Sequence, residues 1–299
     1  MEFNCSIKGE NLLKKYKNFT LSIDELKIPS GFSTALIGEN GAGKTTLLNI
    51  LAGIKLDYKG TLTFYGKYND KDRENDPFVR ESIGYVGTDK YFMPQWTVKQ
   101  VDGFSQLLFD NYNREEFLKI YDELAISETG KYNPGKKVSS LSDGNKVKLA
   151  LASVLARDTD MLIMDEPASP LDPLMRDKLC DLIRDYMSKK PGRTVFFSTH
   201  NIQDMENVTD YAIIMEHGQI AEEGFVEDLK EKYVLVKGEA KDEEEAKKHL
   251  YSCSGSKYGF EGICLRENLD KLENMDIVVE DASLFQISVA VMKKNSKVK

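Results

Sequence analysis

Apolar and polar residues alternate through NFTLSIDELKI, the pattern of a half-exposed strand, and the flanking segments FNCSIKG and FSTALIG are short and β-rich. In KTTLLNILAG the apolar residues take helical spacing, so GENGAGKTT, residues 38 to 46, falls between a strand and a helix. GTLTFYGK predicts another strand, followed by the polar, charged loop KYNDKDREND. From about Val98 to Ala156 the pattern is helical, in VKQVDGFSQLLFDNY, REEFLKIYDELA and GNKVKLALASVLA. Strand and helix then alternate again through DMLIMDEP, LMRDKLCDLIRDYMSKK, TVFFSTH, a short helix and YAIIMEHGQIAEEG. Beyond about Phe225 the texture changes, with a strand-like piece and a charged helix in DLKEKYVLVKGEAKDEEEAKKHL. A last strand and an amphipathic helix follow in IVVEDASLFQISVAVMKK. The pattern predicts an α/β protein with a mostly parallel sheet, a helical insert and a small α+β appendage.

A chain of 299 residues, 41% hydrophobic, fits one large domain plus a small one better than one undivided core. Its 41 basic and 49 acidic residues give a charge of −8, which repels a phosphate backbone and makes nucleic acid an unexpected partner. Four scattered cysteines with no CxxC pair read as thiols of a reducing compartment. The amino terminus lacks the apolar core of a signal peptide, and no uncharged apolar run reaches the ~18 residues of a membrane span. A soluble, cytoplasmic chain is expected; work at a membrane would need another polypeptide to cross it.

Gly38, Gly43, Lys44 and Thr45 fit GxxxxGK[ST]. The glycines let backbone N–H groups close around phosphate oxygens at the positive end of the following helix. Lys44 would reach the β- and γ-phosphates and the Thr45 hydroxyl would ligate Mg²⁺. The loop residues Glu39, Asn40, Gly41, Ala42 and Thr46 complete the expected nucleotide cradle. Met161 to Met164 form a buried strand ending in Asp165, expected to hold the hydrated Mg²⁺, and Glu166, expected to polarise the attacking water as general base.

Between these motifs lies LSDGNKVKLALASVLARD, with Leu141 placed 24 positions before Asp165. LSDGN resembles LSGGQ, the signature of ATP-binding-cassette (ABC) ATPases. SPLD (Ser169 to Asp172) resembles the D-loop of that family, and STH, ending in His200, its switch. Tyr16, 22 positions before Gly38, suits the aromatic that stacks on adenine there, with Phe19 and Tyr65 as competitors. Five motifs in order over residues 1 to about 224 carry the resemblance. It implies ATP and Mg²⁺ as cofactors and two cassettes, identical or related, paired head to tail. Ser142 and the Gly144 backbone would then contact the γ-phosphate held by the opposite cassette. His200 would contact the γ-phosphate and Asp172 would link the two sites, a role compatible with an ordinary helix cap. The resemblance further implies a separately encoded permease as partner at the cytoplasmic face of a membrane. The alternative is an ABC ATPase acting on ribosomes or nucleic acid. Such relatives tend to carry two cassettes, a coiled-coil insertion or zinc motifs, none of which is in this sequence. An ordinary phosphate-loop kinase has no use for a signature that acts in trans.

The sequence departs from the family at Asp143, where glycine is usual, and at Asn145, where glutamine is usual. The Q-loop glutamine is replaced by Thr88 or Asp89, of which Asp89 could reach Mg²⁺ through water; Gln95 comes several residues too late. Tyr91, Phe92, Met93 and Trp96 follow, either as a socket for a short helix of the permease or as core of the helical insert. Residues 1–225 are expected to be the nucleotide-binding domain, with the helical subdomain about 88–156 and an accessory domain over 226–299. That last segment is similar to the tails of single-cassette ATPases of bacterial drug, lantibiotic and bacitracin exporters, which points towards export; a structural cap or a dimerisation element is the other reading.

Overall fold

The computed structural model describes residues 3–70, 72, 76–87, 91–127 and 130–295. The alternation near the start of the chain becomes β1 (Cys5–Lys15) paired antiparallel with β2 (Thr20–Pro29). β4 (Lys59–Phe64) and β5 (Tyr68–Asn69) extend this sheet to the order β2-β1-β4-β5. Alternate residues of β1 and β2 enter a core beneath it, among them Ile7, Leu21 and Ile23, as a one-sided antiparallel sheet requires.

The central sheet has the order β10-β9-β3-β8-β7-β6. Its strands are β3 (Ser33–Ile37), β6 (Ile83–Val86), β7 (Met161–Met164), β8 (Thr194–Thr199), β9 (Tyr211–Glu216) and β10 (Gln219–Phe225). All neighbours are parallel except β9 and β10, which are antiparallel. β3, β7 and β8 are buried at every position, as strands covered on both faces are, and only β7 is apolar throughout. Because β3, β8 and β7 are adjacent, their carboxyl ends lie side by side. Ligands bind at such ends in open α/β sheets.

α1 (Lys44–Leu51) follows β3, and α2 (Pro77–Glu81) precedes β6. The helical insert between β6 and β7 consists of α3 (Val98–Leu108), α4 (Arg114–Glu123) and α5 (Asp143–Leu155). A capping box between Thr97 and Gln100 starts α3, and the Asn113 side chain caps α4. Asp102, buried in α3, accepts from Arg114 at 2.9 Å, Gln106 at 3.0 Å and the Tyr112 hydroxyl at 3.1 Å, so its charge is paired. α6 (Pro173–Ser188) follows β7, with Asp172 as its cap and proline in its first turn.

The last quarter of the chain begins with α7 (Val226–Lys232). β11 (Tyr233–Gly238), β12 (Ser252–Ser256), β13 (Gly259–Leu265) and β14 (Ile277–Asp281) make an antiparallel sheet of order β12-β13-β11-β14. The charged helix expected from DEEEAKKHL forms a single turn, α8 (Glu243–Ala246). The backbone then tightens, with Lys248 donating to Glu245 and His249 to Ala246, before Tyr251 pairs with Ile263 at the sheet. α9 (Leu284–Asn295) returns to the main body: Leu284, Ile287, Ala290 and Val291 are buried in the same core as Ile37, Met164 and Ile202. No helix among the described residues is long and apolar enough to cross a membrane.

Candidate active site

The chain leaves β3 into the loop 38–43 and enters α1 at Lys44. Gly43 has φ of 106°, and a Cβ there would stand 2.6 Å from the Phe19 ring, so only glycine fits. The Lys44 Nζ donates to the carbonyls of Gly38 at 2.7 Å and Glu39 at 3.2 Å, and lies 3.2 Å from Glu166 Oε1. The next residue, Thr45, donates its hydroxyl to Asp165 Oδ2 at 2.7 Å. Asp165 and Glu166 end β7 as expected, with Asp165 buried and Glu166 mostly so. His200, at the end of β8, places Nδ1 2.7 Å from Glu166 Oε2. Lys44, Thr45, Asp165, Glu166 and His200 are therefore one connected constellation.

A cleft of about 740 Å³ opens over this loop, lined by Tyr16, Asn18, Phe19, Glu39, Asn40, Gly41, Gly43, Lys44, Thr45, Thr46 and Glu166. Tyr16 and Phe19 both line it, with centroids 6.2 Å apart, and the Lys55 and Lys14 ammonium groups lie 5.0 and 5.4 Å from the Tyr16 ring. An aromatic face flanked by two cations suits a purine carrying polyphosphate. Tyr65 is packed in the core beneath the first sheet, with its hydroxyl 3.0 Å from Ser82, and takes no part in the cleft.

The groups present fit Mg²⁺ and a nucleotide. Thr45 and Asp165 offer hard oxygen donors 2.7 Å apart, the set that Mg²⁺ prefers, next to a helix amino terminus and a lysine that suit phosphate. Thr88 and Asp89, the candidates for the Q-loop position, lie outside the described residues. Gln95 is exposed and bonds the Met93 sulfur at 3.5 Å.

Sequence reasoning missed Ser198. Its buried hydroxyl donates to Asp165 Oδ1 at 2.6 Å and accepts from the Glu166 backbone N–H at 2.9 Å. Glu166 has φ of 50°, a left-handed conformation that is costly for a residue with a Cβ, and the Ser198 bond helps to hold it. The signal available was a polar residue directly after the apolar run VFF and directly before Thr199 and His200. For Ser198→Ala we expect kcat to fall about 10-fold and the Mg²⁺ requirement to rise. Two buried polar groups lose their partner, each at about 1–3 kcal/mol. Steady-state hydrolysis across a Mg²⁺ titration measures both effects.

Of the signature residues, Asp143 lines a second cleft of about 720 Å³ that also reaches Asp165, Glu166 and His200, whereas Ser142 and Gly144 line neither cleft. Ser142 caps α5 by accepting from the Asn145 N–H at 3.2 Å, is exposed, and does not line the 740 Å³ cleft. A Cβ on Gly144 would stand 2.8 Å from the Pro170 carbonyl, so glycine permits the signature turn to touch the SPLD segment. Asp172 caps α6 by accepting from the Met175 N–H at 3.1 Å. Asp143 turns to solvent and pairs with Lys146 at 2.8 Å, which holds its carboxyl below the usual range. Asp143→Gly is therefore expected to leave turnover within about two-fold of wild type in an ATPase assay, since the side chain is already neutralised and screened.

Of the aromatic cluster, Phe92 and Trp96 pack partly against the core, while Tyr91 and Met93 are exposed. Trp96 stacks on Phe104 at 4.3 Å and 5°, and Phe104, Leu107 and Leu108 form an exposed apolar stripe on α3.

A glycine loop entering a helix, a strand-end carboxylate pair, a histidine at the neighbouring strand end and a helix-capping LSDGN turn fit an ATPase of the cassette class. The family model described as ABC transporter matches residues 21–169. The energy-coupling factor transporter ATP-binding protein EcfA2 of Methanospirillum hungatei is 35% identical over 232 residues, 76% of this chain and 57% of its own length. The tungstate uptake system ATP-binding protein TupC of Peptoclostridium acidaminophilum is 30% identical over 221 residues, 73% of this chain and 99% of its own. The solved structure of cbiO1 from Clostridium perfringens, part of the ABC transporter complex cbiONQ, superposes with a TM-score of 0.59 at 28% identity, covering 74% of this chain and 89% of its own. The chain belongs to the ATP-binding subunits of ABC transporters, a family of ATPases.

Proposed function

We propose that this chain hydrolyses ATP to drive a separately encoded membrane permease, by closing two cassettes head to tail around the nucleotide. The observation that carries this reading is the position of Ser142: a family signature that is exposed and outside its own chain's nucleotide cleft. A second cassette, identical or related, would bring its signature to the Lys44–Glu166 site, where the serine hydroxyl and helix-terminal N–H groups stabilise the γ-phosphate. Removing that phosphate by hydrolysis loosens the pair.

Within the site, loop N–H groups and Lys44 hold the phosphates, and Tyr16 stacks on the adenine, with Phe19 beside it. Thr45 and Asp165 would hold Mg²⁺, which would supply neutralisation of the phosphate charge. Glu166 takes the proton of the attacking water. His200 orients the Glu166 carboxylate and contacts the γ-phosphate, and Asp172 joins the two sites across the pair.

Residues 1–225 form the nucleotide-binding domain in this reading, about 88–156 its helical subdomain and 226–299 an accessory domain. The apolar stripe of Phe104, Leu107 and Leu108, with Tyr91, Met93 and Trp96, supports a docking socket for a permease helix at the cytoplasmic face of the membrane. Export is the direction we propose, and its support is the likeness of the 226–299 segment to exporter tails; the tungstate relative is named for uptake. Pull-down of the tagged chain from detergent-solubilised native membranes, with and without Mg-ATP, tests the function. A polytopic membrane protein in stoichiometric yield is expected. Recovery only with ribosomes or nucleic acid would replace the permease reading with its alternative.

A further inference from the structure

The segment that follows His200 is fastened at three places. Its two short helical turns, Ile202–Asp204 and Glu206–Val208, bury Ile202, Met205 and Val208 against the main core. Arg176 of α6 donates to Asp204 at 2.7 Å and, through Nε, to the Leu171 carbonyl at 2.9 Å, which ties this segment to the SPLD loop. Asn201 also donates to Asp204, at 3.1 Å. The third fastening comes from the far end of the chain. Glu206 Oε1 accepts the backbone N–H of Leu284, the first residue of α9, at 3.1 Å and lies 3.5 Å from the Lys230 ammonium of α7. Leu284 and Ile287 are buried in the same core as Ile202 and Met205.

We propose that the C-terminal segment positions the catalytic switch, with Glu206, six positions after His200 (206 minus 200), as the positioning residue that joins them. The inference rests on the ATPase reading of the Lys44–Glu166–His200 site and adds a control element to it. A carboxylate at the start of a helix is held by both the free N–H and the helix dipole. Any movement of α9 is therefore passed to residues 201–206. His200, at one end of that segment, bonds Glu166, and Asp204 within it bonds the helix that Asp172 caps. Two short links thus connect α9 to the general base and to the loop that faces the second cassette. Glu206 itself touches no reacting group. Its effect falls on the geometry of His200, and hence on kcat, while the nucleotide cleft that sets ATP affinity contains no residue of the segment.

The test compares Glu206→Ala with Glu206→Gln in the full chain. The glutamine keeps an oxygen that accepts the Leu284 N–H; the alanine does not. Glu206→Ala is expected to lower kcat about 5- to 10-fold with an unchanged KM for ATP, and Glu206→Gln to restore kcat to within two-fold of wild type. Equal kcat in wild type and Glu206→Ala overturns the proposal, as does a loss that glutamine fails to rescue. A wild-type chain that does not hydrolyse ATP would instead strike the function itself. A second measurement needs no variant. Coupling is reciprocal, so binding of a non-hydrolysable ATP analogue with Mg²⁺ is expected to slow amide hydrogen exchange at residues 284–287 several-fold. Unchanged exchange there, with the loop at 38–46 protected by the analogue, overturns the proposal independently.

Discussion

Glu166→Gln is expected to reduce ATP turnover by about 10²- to 10⁴-fold, the range that a positioned general base supplies, while Mg-ATP still binds. Glutamine keeps the shape of the side chain and both contacts that a neutral amide can make near His200 Nδ1 and the Lys44 ammonium, now 2.7 and 3.2 Å from the carboxylate. It cannot take a proton from water. The bond from the residue 166 N–H to the Ser198 hydroxyl uses only the backbone of residue 166 and survives the change. Hydrolysis and binding should therefore separate cleanly, in a phosphate-release assay and in equilibrium binding of a fluorescent ATP analogue. Undiminished turnover would remove Glu166 from the role of base.

Lys44→Ala is expected to lower kcat/KM by about 10²- to 10³-fold, the scale seen when one donor is lost from a site that stabilises developing charge. Here binding falls as well as chemistry, because the ammonium lies within the loop, bonded to the carbonyls of Gly38 and Glu39, where the phosphates are to be held. Its loss also leaves the mostly buried Glu166 Oε1 without the cation 3.2 Å away. Repulsion between that carboxylate and the phosphates then adds to the lost attraction. Lys44→Arg is expected to recover little, since a planar fork does not replace a compact ammonium among loop carbonyls. Nucleotide affinity from calorimetry, alongside kcat/KM, separates the two contributions.

The glycine loop and the strand-end carboxylates were legible in the sequence because phosphate binding admits few residue types at those places. Gly43 needs its left-handed φ beside Phe19, and Asp165 needs an acid where a buried strand ends. The order of the parallel strands was not legible, because periodicity reports which face is buried and says nothing of which strand is the neighbour. That order is what sets His200 beside Glu166, across 34 residues. Ser198 escaped for a related reason: its side chain direction depends on β8 lying between β3 and β7. The charged run DEEEAKKHL predicted more helix than forms, because the chain must turn back to pair Tyr251 with Ile263, and tertiary pairing overrides local propensity. The link from Glu206 to Leu284 spans 78 residues and has no local signature at all.

In the head-to-tail pairing proposed above, the site becomes complete only when a second cassette supplies Ser142. The most direct measurement is the mass of the Glu166→Gln chain by light scattering, with and without Mg-ATP, beside Glu166→Gln carrying Ser142→Arg. The expected mass is 33.9 kDa without nucleotide and about twice that with it, as the γ-phosphate bridges the pair. With Ser142→Arg added, the chain is expected to stay at the monomer mass with ATP still bound. A chain that stays at 33.9 kDa with ATP bound, or a dimer indifferent to the change at Ser142, would rule out head-to-tail pairing through the signature.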